Sequence, residues 1–253
     1  MFGAPNQTPY DLHFSVVGIP VRVHPLFWLM AVVLGFAPGQ PALIAIWVGV
    51  VFISILVHEM GHALAMRHYG FSPSVVLYMG GGLAMYHGES SPWQNYAVFR
   101  QQSVHPWHKI IISAAGPAAG FLLAAIVCIY LYVGGRSMSL LGVPLGRGPE
   151  LEASYLAVLV FDLLVVNVFW GLVNLLPVYP LDGGQIAREL FVLFAPRDAI
   201  RTSLFLSIAT AIGVAVLGYG YLHQQFLGIM FAYFAIMNYQ MLQGFFGGGG
   251  RPW

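Results

Sequence analysis

Residues 57–63 read Val-His-Glu-Met-Gly-His-Ala, two histidines four apart with a glutamate directly after the first. Positions four apart share one face of a helix, so His58 and His62 can offer imidazole nitrogens to a single ion. Glu59 lies one step around the same turn and can reach a water held on that ion. The chemistry implied is hydrolysis: zinc lowers the pKa of water towards neutrality, and a neighbouring carboxylate takes the proton and later hands it to a leaving amine. The one cysteine, Cys128, is set in an apolar run, so neither an internal disulfide nor a cysteine-based zinc site can form. Any further ligand must be His, Asp or Glu.

Catalytic zinc keeps three protein ligands and one open position. Residues 174–184, Asn-Leu-Leu-Pro-Val-Tyr-Pro-Leu-Asp-Gly-Gly, supply the strongest candidate for the third, Asp182. Two prolines and a glycine pair cannot continue a regular helix. At membrane depth such backbone is tolerated where it is buried in protein or lines a polar cavity. Glu189, beside Arg188, is the fallback ligand, while Asp11 and Asp198 sit in polar segments.

The elements that must position these residues belong in a bilayer. The 253 residues are 58% hydrophobic and 8% charged, against about 25% charged in soluble domains. A net charge of +1 and the lack of a basic stripe argue against a nucleic-acid partner. A bilayer core of about 30 Å takes about 20 apolar residues of helix. Six spans are expected, at 25–37, 41–66, 110–133, 154–176, 203–222 and 226–242, the first of them short. No removable signal peptide is evident in the first 24 residues.

Six spans separate the basic residues into two sets. Arg22, Arg67, Arg100, Lys109, Arg188, Arg197, Arg201 and Arg251 fall on one side, and only Arg136 and Arg147 on the other. Positive residues stay cytoplasmic, so both termini are expected in the cytoplasm. Glu150 and Glu152 then lie on the face away from the histidines. The apolar stretch before His58 puts it about 24 Å into its helix, submerged but near the cytoplasmic side. The expected fold is an all-α polytopic membrane protein with about six spans and a short membrane-associated β-hairpin. It forms a single domain over 1–253, with a core at 41–184 and flanking spans at 25–37, 203–222 and 226–242.

H-E-x-x-H on one span and N-x-x-P-x-x-P-L-D-G on a later one together resemble the site-2 protease family of intramembrane zinc metalloproteases. Ala115-Gly116-Pro117 and the glycine-rich stretch before it are also similar. The resemblance covers about residues 41–184 and is closest to the six-span branch, without that family's peptide-binding or nucleotide-sensing domains. It implies one zinc per chain held by His58, His62 and Asp182, with Glu59 as general base. Asn174 would position the substrate or stabilise the addition step. The implied partners are the lipid bilayer and transmembrane protein substrates, cut in or beside their membrane segments in regulated intramembrane proteolysis. The implied location is the plasma membrane of a prokaryote, and an oligomer is compatible with it.

Other features have their own readings. Residues 75–86 form two short strands around Gly80, Gly81 and Gly82, and a free strand edge there could hold an unwound substrate peptide. Gly116 and Gly120 read as a helix-packing device, and Asn167 as an interhelical hydrogen-bonding group. Asp162 reads either as a packed structural acid or as one that pairs within the cavity. His24, His68, His87, His105, His108 and His223 read as interfacial, and 247–250 as a flexible tail. The competing function is a metal-ion or proton transporter using the intramembrane His, Asp and Glu. Against it, the polar groups cluster near one face and no inverted repeat is evident.

Overall fold

A computed structural model describes residues 6–246 apart from 36, 38, 80, 87–104 and 141, with the backbone alone at 245 and 246. The chain divides into two compact units, residues 1–99 with 115–172, and residues 100–114 with 173–253.

The first unit begins with strands β1 (Leu12–Val16) and β2 (Ile19–Val23), which pair antiparallel across the Val17-Gly18 turn. Both turn residues have positive φ, 50° and 76°. Helix α1 (Pro25–Leu34) follows, with Pro25 in its first turn and the His24 ring accepting the Leu26 N–H at 3.1 Å. Helix α2 (Pro41–His68) also opens on a proline. Its 28 residues extend about 42 Å, enough to cross a bilayer core and project beyond it.

Strands β3 (Pro73–Tyr78) and β4 (Gly81–Tyr86) form an antiparallel hairpin, and β3 pairs parallel with β2. The hairpin expected from 75–86 is therefore half of a four-stranded sheet ordered β1-β2-β3-β4. The inward residues of β2 and β3, among them Val21, Val23, Val75 and Leu77, pack with Phe27 of α1 and Val51 and Ile55 of α2. The N-terminal segment, where no element was expected, supplies half of this sheet, because Phe14, Val16, Ile19, Val21 and Val23 alternate along it.

Helix α3 (Pro106–Val133) and helix α4 (Tyr155–Asn174) complete the first unit apart from their outer turns. Between them, β5 (Ser137–Leu140) and β6 (Val143–Gly146) make a second hairpin where a plain loop was expected. Val127, Leu131, Val160 and Leu164 join the two helices in one apolar cluster.

The second unit holds helix α5 (Asp182–Phe194), helix α6 (Ala199–Val216) with a π-helical turn at Leu217–Tyr221, and helix α7 (Gln225–Phe246). Val178, Ala211, Phe231, Phe234 and Ala235 form its core, with Leu176, Tyr179 and Leu181 packed against them.

The protein is thus a largely helical membrane protein with a small β component, which extends beyond the single hairpin expected. Among the described residues four helices are long and apolar enough to cross a membrane: Pro41–His68, Pro106–Val133, Tyr155–Asn174 and Ala199–Tyr221. Four of the six expected spans correspond to these. The expected first span is a ten-residue helix, and about 15 Å of helix is half the thickness of the hydrocarbon core. The expected sixth lies on α7, where Asn238, Gln240 and Gln243 dilute the apolar run.

Candidate metal centre

Helix α2 carries His58, Glu59 and His62 in its second half, and all three side chains are buried. The helical period does the positioning. His58 and His62 stack edge to face, ring centroids 4.8 Å apart, with their Nε2 atoms 3.1 Å apart. Zinc–nitrogen bonds of about 2.0–2.1 Å put two tetrahedral ligands about 3.3 Å apart. The separation of the two nitrogens therefore suits a shared ion.

Two glycines make this crowding possible. A Cβ on Gly116 of α3 would fall within 3.0 Å of the His62 ring, and one on Gly82 of β4 within 3.0 Å of the Glu59 side chain. Gly61, between the two histidines, would bring a Cβ into the Ala115 carbonyl, so α2 and α3 approach backbone to backbone there. Gly116 and Gly120, read from the sequence as a packing pair, face different groups: Gly116 the His62 ring, Gly120 the Asn167 side chain. Asn167 donates to Ser54 Oγ and to Leu163 O, both at 2.8 Å, so it joins α4 to α2 as its type and setting suggested.

Asp182 begins α5, where the helix dipole favours a negative group. Its approach is irregular: α4 ends at Asn174, and the chain turns through Val178 and Leu181. A Cβ on Gly183 would strike the Leu175 and Leu176 carbonyls, and one on Gly184 the backbone at 178 and 179. The glycine pair therefore lets the first turn of α5 lie directly on the segment that precedes it.

His58, His62 and Asp182, each buried, offer one ligand atom apiece, and these atoms lie within 4.8 Å of one another. Two imidazoles and a carboxylate make a donor set compatible with catalytic zinc. Glu189 stands elsewhere. It is buried on α5, and its carboxylate pairs with Lys109 at 3.6 Å. Asn174 is buried as the last residue of α4. Gly81 and Gly82 open β4, at the edge of the sheet, and Gly80 lies outside the described residues.

The profile of peptidase family M50 matches residues 46–218. The chain belongs to this family. Among similar proteins, a zinc metalloprotease of Methanocaldococcus jannaschii is 24% identical over 180 residues, 70% of this chain and 44% of its own length. Rip3 of Mycobacterium tuberculosis, whose name places it among the zinc metalloproteases, is 32% identical over 185 residues, 70% of this chain and 40% of its own. The chain thus spans less than half the length of these two relatives. A solved site-2 protease from Methanocaldococcus jannaschii shares the fold at a TM-score of 0.51 and 20% identity, covering 92% of this chain and 95% of that one.

Sequence reasoning missed Gly116 as a neighbour of His62, and missed Ser207 and Asn238, which bond to the backbone of Tyr179. Asn238 carried a usable signal, an amide in an apolar helix. Gly116 stood out through Ala115-Gly116-Pro117 and its spacing to Gly120, but neither pointed to His62.

Proposed function

We propose that this M50 family member is an intramembrane zinc metalloprotease that hydrolyses a peptide bond in or beside a transmembrane segment of other membrane proteins. The observation that carries the reading is the buried group of His58, His62 and Asp182, with Glu59 one residue beyond the first histidine, in a chain of membrane-spanning helices. In this reading the three residues hold one zinc per chain. The bound metal supplies a Lewis acid that polarises the scissile carbonyl and makes water a nucleophile near neutral pH.

The protein's own groups do the rest. Glu59 accepts the proton as the water oxygen adds to the carbonyl carbon, then delivers it to the amide nitrogen as the C–N bond breaks. Two products result, a new carboxylate and a free amine. Asn174 donates a hydrogen bond to the substrate near the reacting carbonyl. The edge strand β4 pairs with an unwound stretch of substrate through backbone hydrogen bonds, its opening glycines, Gly81 and Gly82, keeping side chains out of the way. Six spans, with α1 and α7 completing the four long apolar helices, put both termini in the cytoplasm of a prokaryotic plasma membrane. The whole chain acts as a single membrane domain, and its role is regulated release of membrane-tethered proteins.

Glu59→Gln is the test. In detergent or vesicles, cleavage of a panel of single-span test proteins should fall to background while zinc per chain is unchanged. Cleavage that survives in the variant would contradict this assignment.

A further inference from the structure

The segment that delivers Asp182 is fixed at one residue from two sides. The Tyr179 N–H donates to Ser207 Oγ of α6 at 3.1 Å, and the Tyr179 carbonyl accepts from Asn238 Nδ2 of α7 at 2.7 Å. The neighbouring side chains of Leu176, Val178, Tyr179 and Leu181 are set into the apolar core of the same two helices.

Asn238 is fully buried. Its Nδ2 also donates to Phe234 O, four residues back on its own helix, at 2.7 Å. With two carbonyls as neighbours, the amide nitrogen must face them, so the orientation of the side chain follows from its partners. Its Oδ1 has no hydrogen-bond partner among the described residues. For stability alone this is a poor choice: an unsatisfied amide oxygen is costly at depth, and leucine fills a similar volume without that cost. The Phe234 carbonyl does not require it either, since helix carbonyls are served by the helix itself. What a leucine would lose is the hold on Tyr179, three residues before Asp182.

The geometry points to Asn238 and Ser207 as positioning residues for Asp182. On this account α6 and α7 are not merely flanking spans. They clamp both backbone polar groups of one residue in a segment that has no helical ladder of its own, and so fix the direction from which the carboxylate approaches the metal. The inference rests on Asp182 being a ligand, as proposed above. Groups bonded directly to a ligand change metal affinity roughly 10–100-fold when removed. Partners that act one step further out, as these do, are expected at the low end of that range.

The experiment measures zinc affinity, by competition with a chromogenic chelator, and the visible spectrum of the cobalt-substituted protein. The full-length chain is used as wild type, Asp182→Ala, Asn238→Leu, Ser207→Ala and Ser203→Ala. Ser203 is a buried α6 hydroxyl one turn from Ser207 that donates to Ile200 O of its own helix, so it controls for loss of a buried hydroxyl. The expected result is a fall in affinity of roughly 10-fold in Asn238→Leu and a smaller fall in Ser207→Ala. Both should show an altered cobalt spectrum with thermal stability kept, while Ser203→Ala matches wild type. Should Asn238→Leu fail to fold, Ser207→Ala, which removes one oxygen, carries the test alone. Wild-type affinity and spectrum in the Tyr179-contacting variants, with loss in Asp182→Ala, would overturn the positioning role and leave the zinc reading standing. Undiminished affinity in Asp182→Ala would overturn both.

Discussion

Two stretches of chain carry the side chains proposed to hold the metal, and they do so in opposite ways. In α2 the backbone is a regular helix of 28 residues, and the four-residue spacing alone sets His58 beside His62. What must be arranged there is the surroundings, so neighbouring elements present glycine: Gly116 to the His62 ring and Gly82 to Glu59. Around Asp182 the reverse holds. The backbone between α4 and α5 is irregular, and side chains from other helices must hold it. A periodic element needs space from its neighbours, whereas an aperiodic one needs bonds from them.

The comparison is sharpest at the two glycines, where the largest effects are expected. On helix propensity alone Gly116→Ala would stabilise α3 by about 1 kcal/mol. Instead the new methyl must displace the His62 ring, so zinc affinity should fall while the folded protein survives, as checked by chelator competition and thermal melting. Gly82→Ala should do the complementary thing. Displacing the Glu59 carboxylate should leave zinc per chain intact and lower kcat, on the order of 100-fold for a displacement of about 1 Å. If both variants lost zinc equally, the separation of ligand from base would be wrong.

A smaller effect is expected where α2 meets α4. Asn167→Leu removes the bond to Ser54, one turn before His58. Interhelical hydrogen bonds in membranes are worth about 0.6–1.7 kcal/mol. The variant should therefore unfold at a lower denaturant concentration with its zinc content unchanged.

The smallest lies at the sheet. Arg67, near the end of α2, donates to Val17 O in the β1–β2 turn at 2.6 Å, and Arg22 of β2 pairs with Asp11 at 2.8 Å. The Thr8 hydroxyl donating to Asp11, with the Arg22 guanidinium, holds that carboxyl below its ordinary 3.8, at about 2. A carboxyl whose pKa is lowered by folding stabilises the fold above its unfolded value and loses that contribution as pH falls through the folded one. The protection of β1 amides, corrected for intrinsic exchange, should accordingly be constant above about pH 4 and fall as pH approaches about 2, with Asp11→Asn less protected above about pH 4 and converging on wild type near pH 2.

Much of the site was legible in sequence because its chemistry is local. His58, Glu59 and His62 announce themselves by spacing, and Asp182 by prolines and glycines in an apolar setting. Long-range pairing was less legible. The hairpin at 75–86 was visible from its glycine turn, but β1 and β2 were not, since a parallel pairing of β2 with β3 depends on residues some fifty positions apart. The span count is supported at four of its six positions, and 25–37 and α7 fall outside the long apolar helices for a simpler reason. Apolar character alone does not distinguish a short or amide-containing helix from one that crosses a bilayer. The hold of Ser207 and Asn238 on Tyr179 was legible only from one side: Asn238 stands out as an amide in an apolar helix, but its partner is a backbone group that every residue carries.

The account turns on one ion held jointly by the regular and the irregular stretch, so zinc per chain tests it most directly. Elemental analysis of wild-type protein purified without chelators should give about one zinc per chain, the stoichiometry of a single catalytic site. His58→Ala and Asp182→Ala should each lose most of it. A metal-free wild type, or an Asp182→Ala variant that keeps its full zinc, would contradict the account.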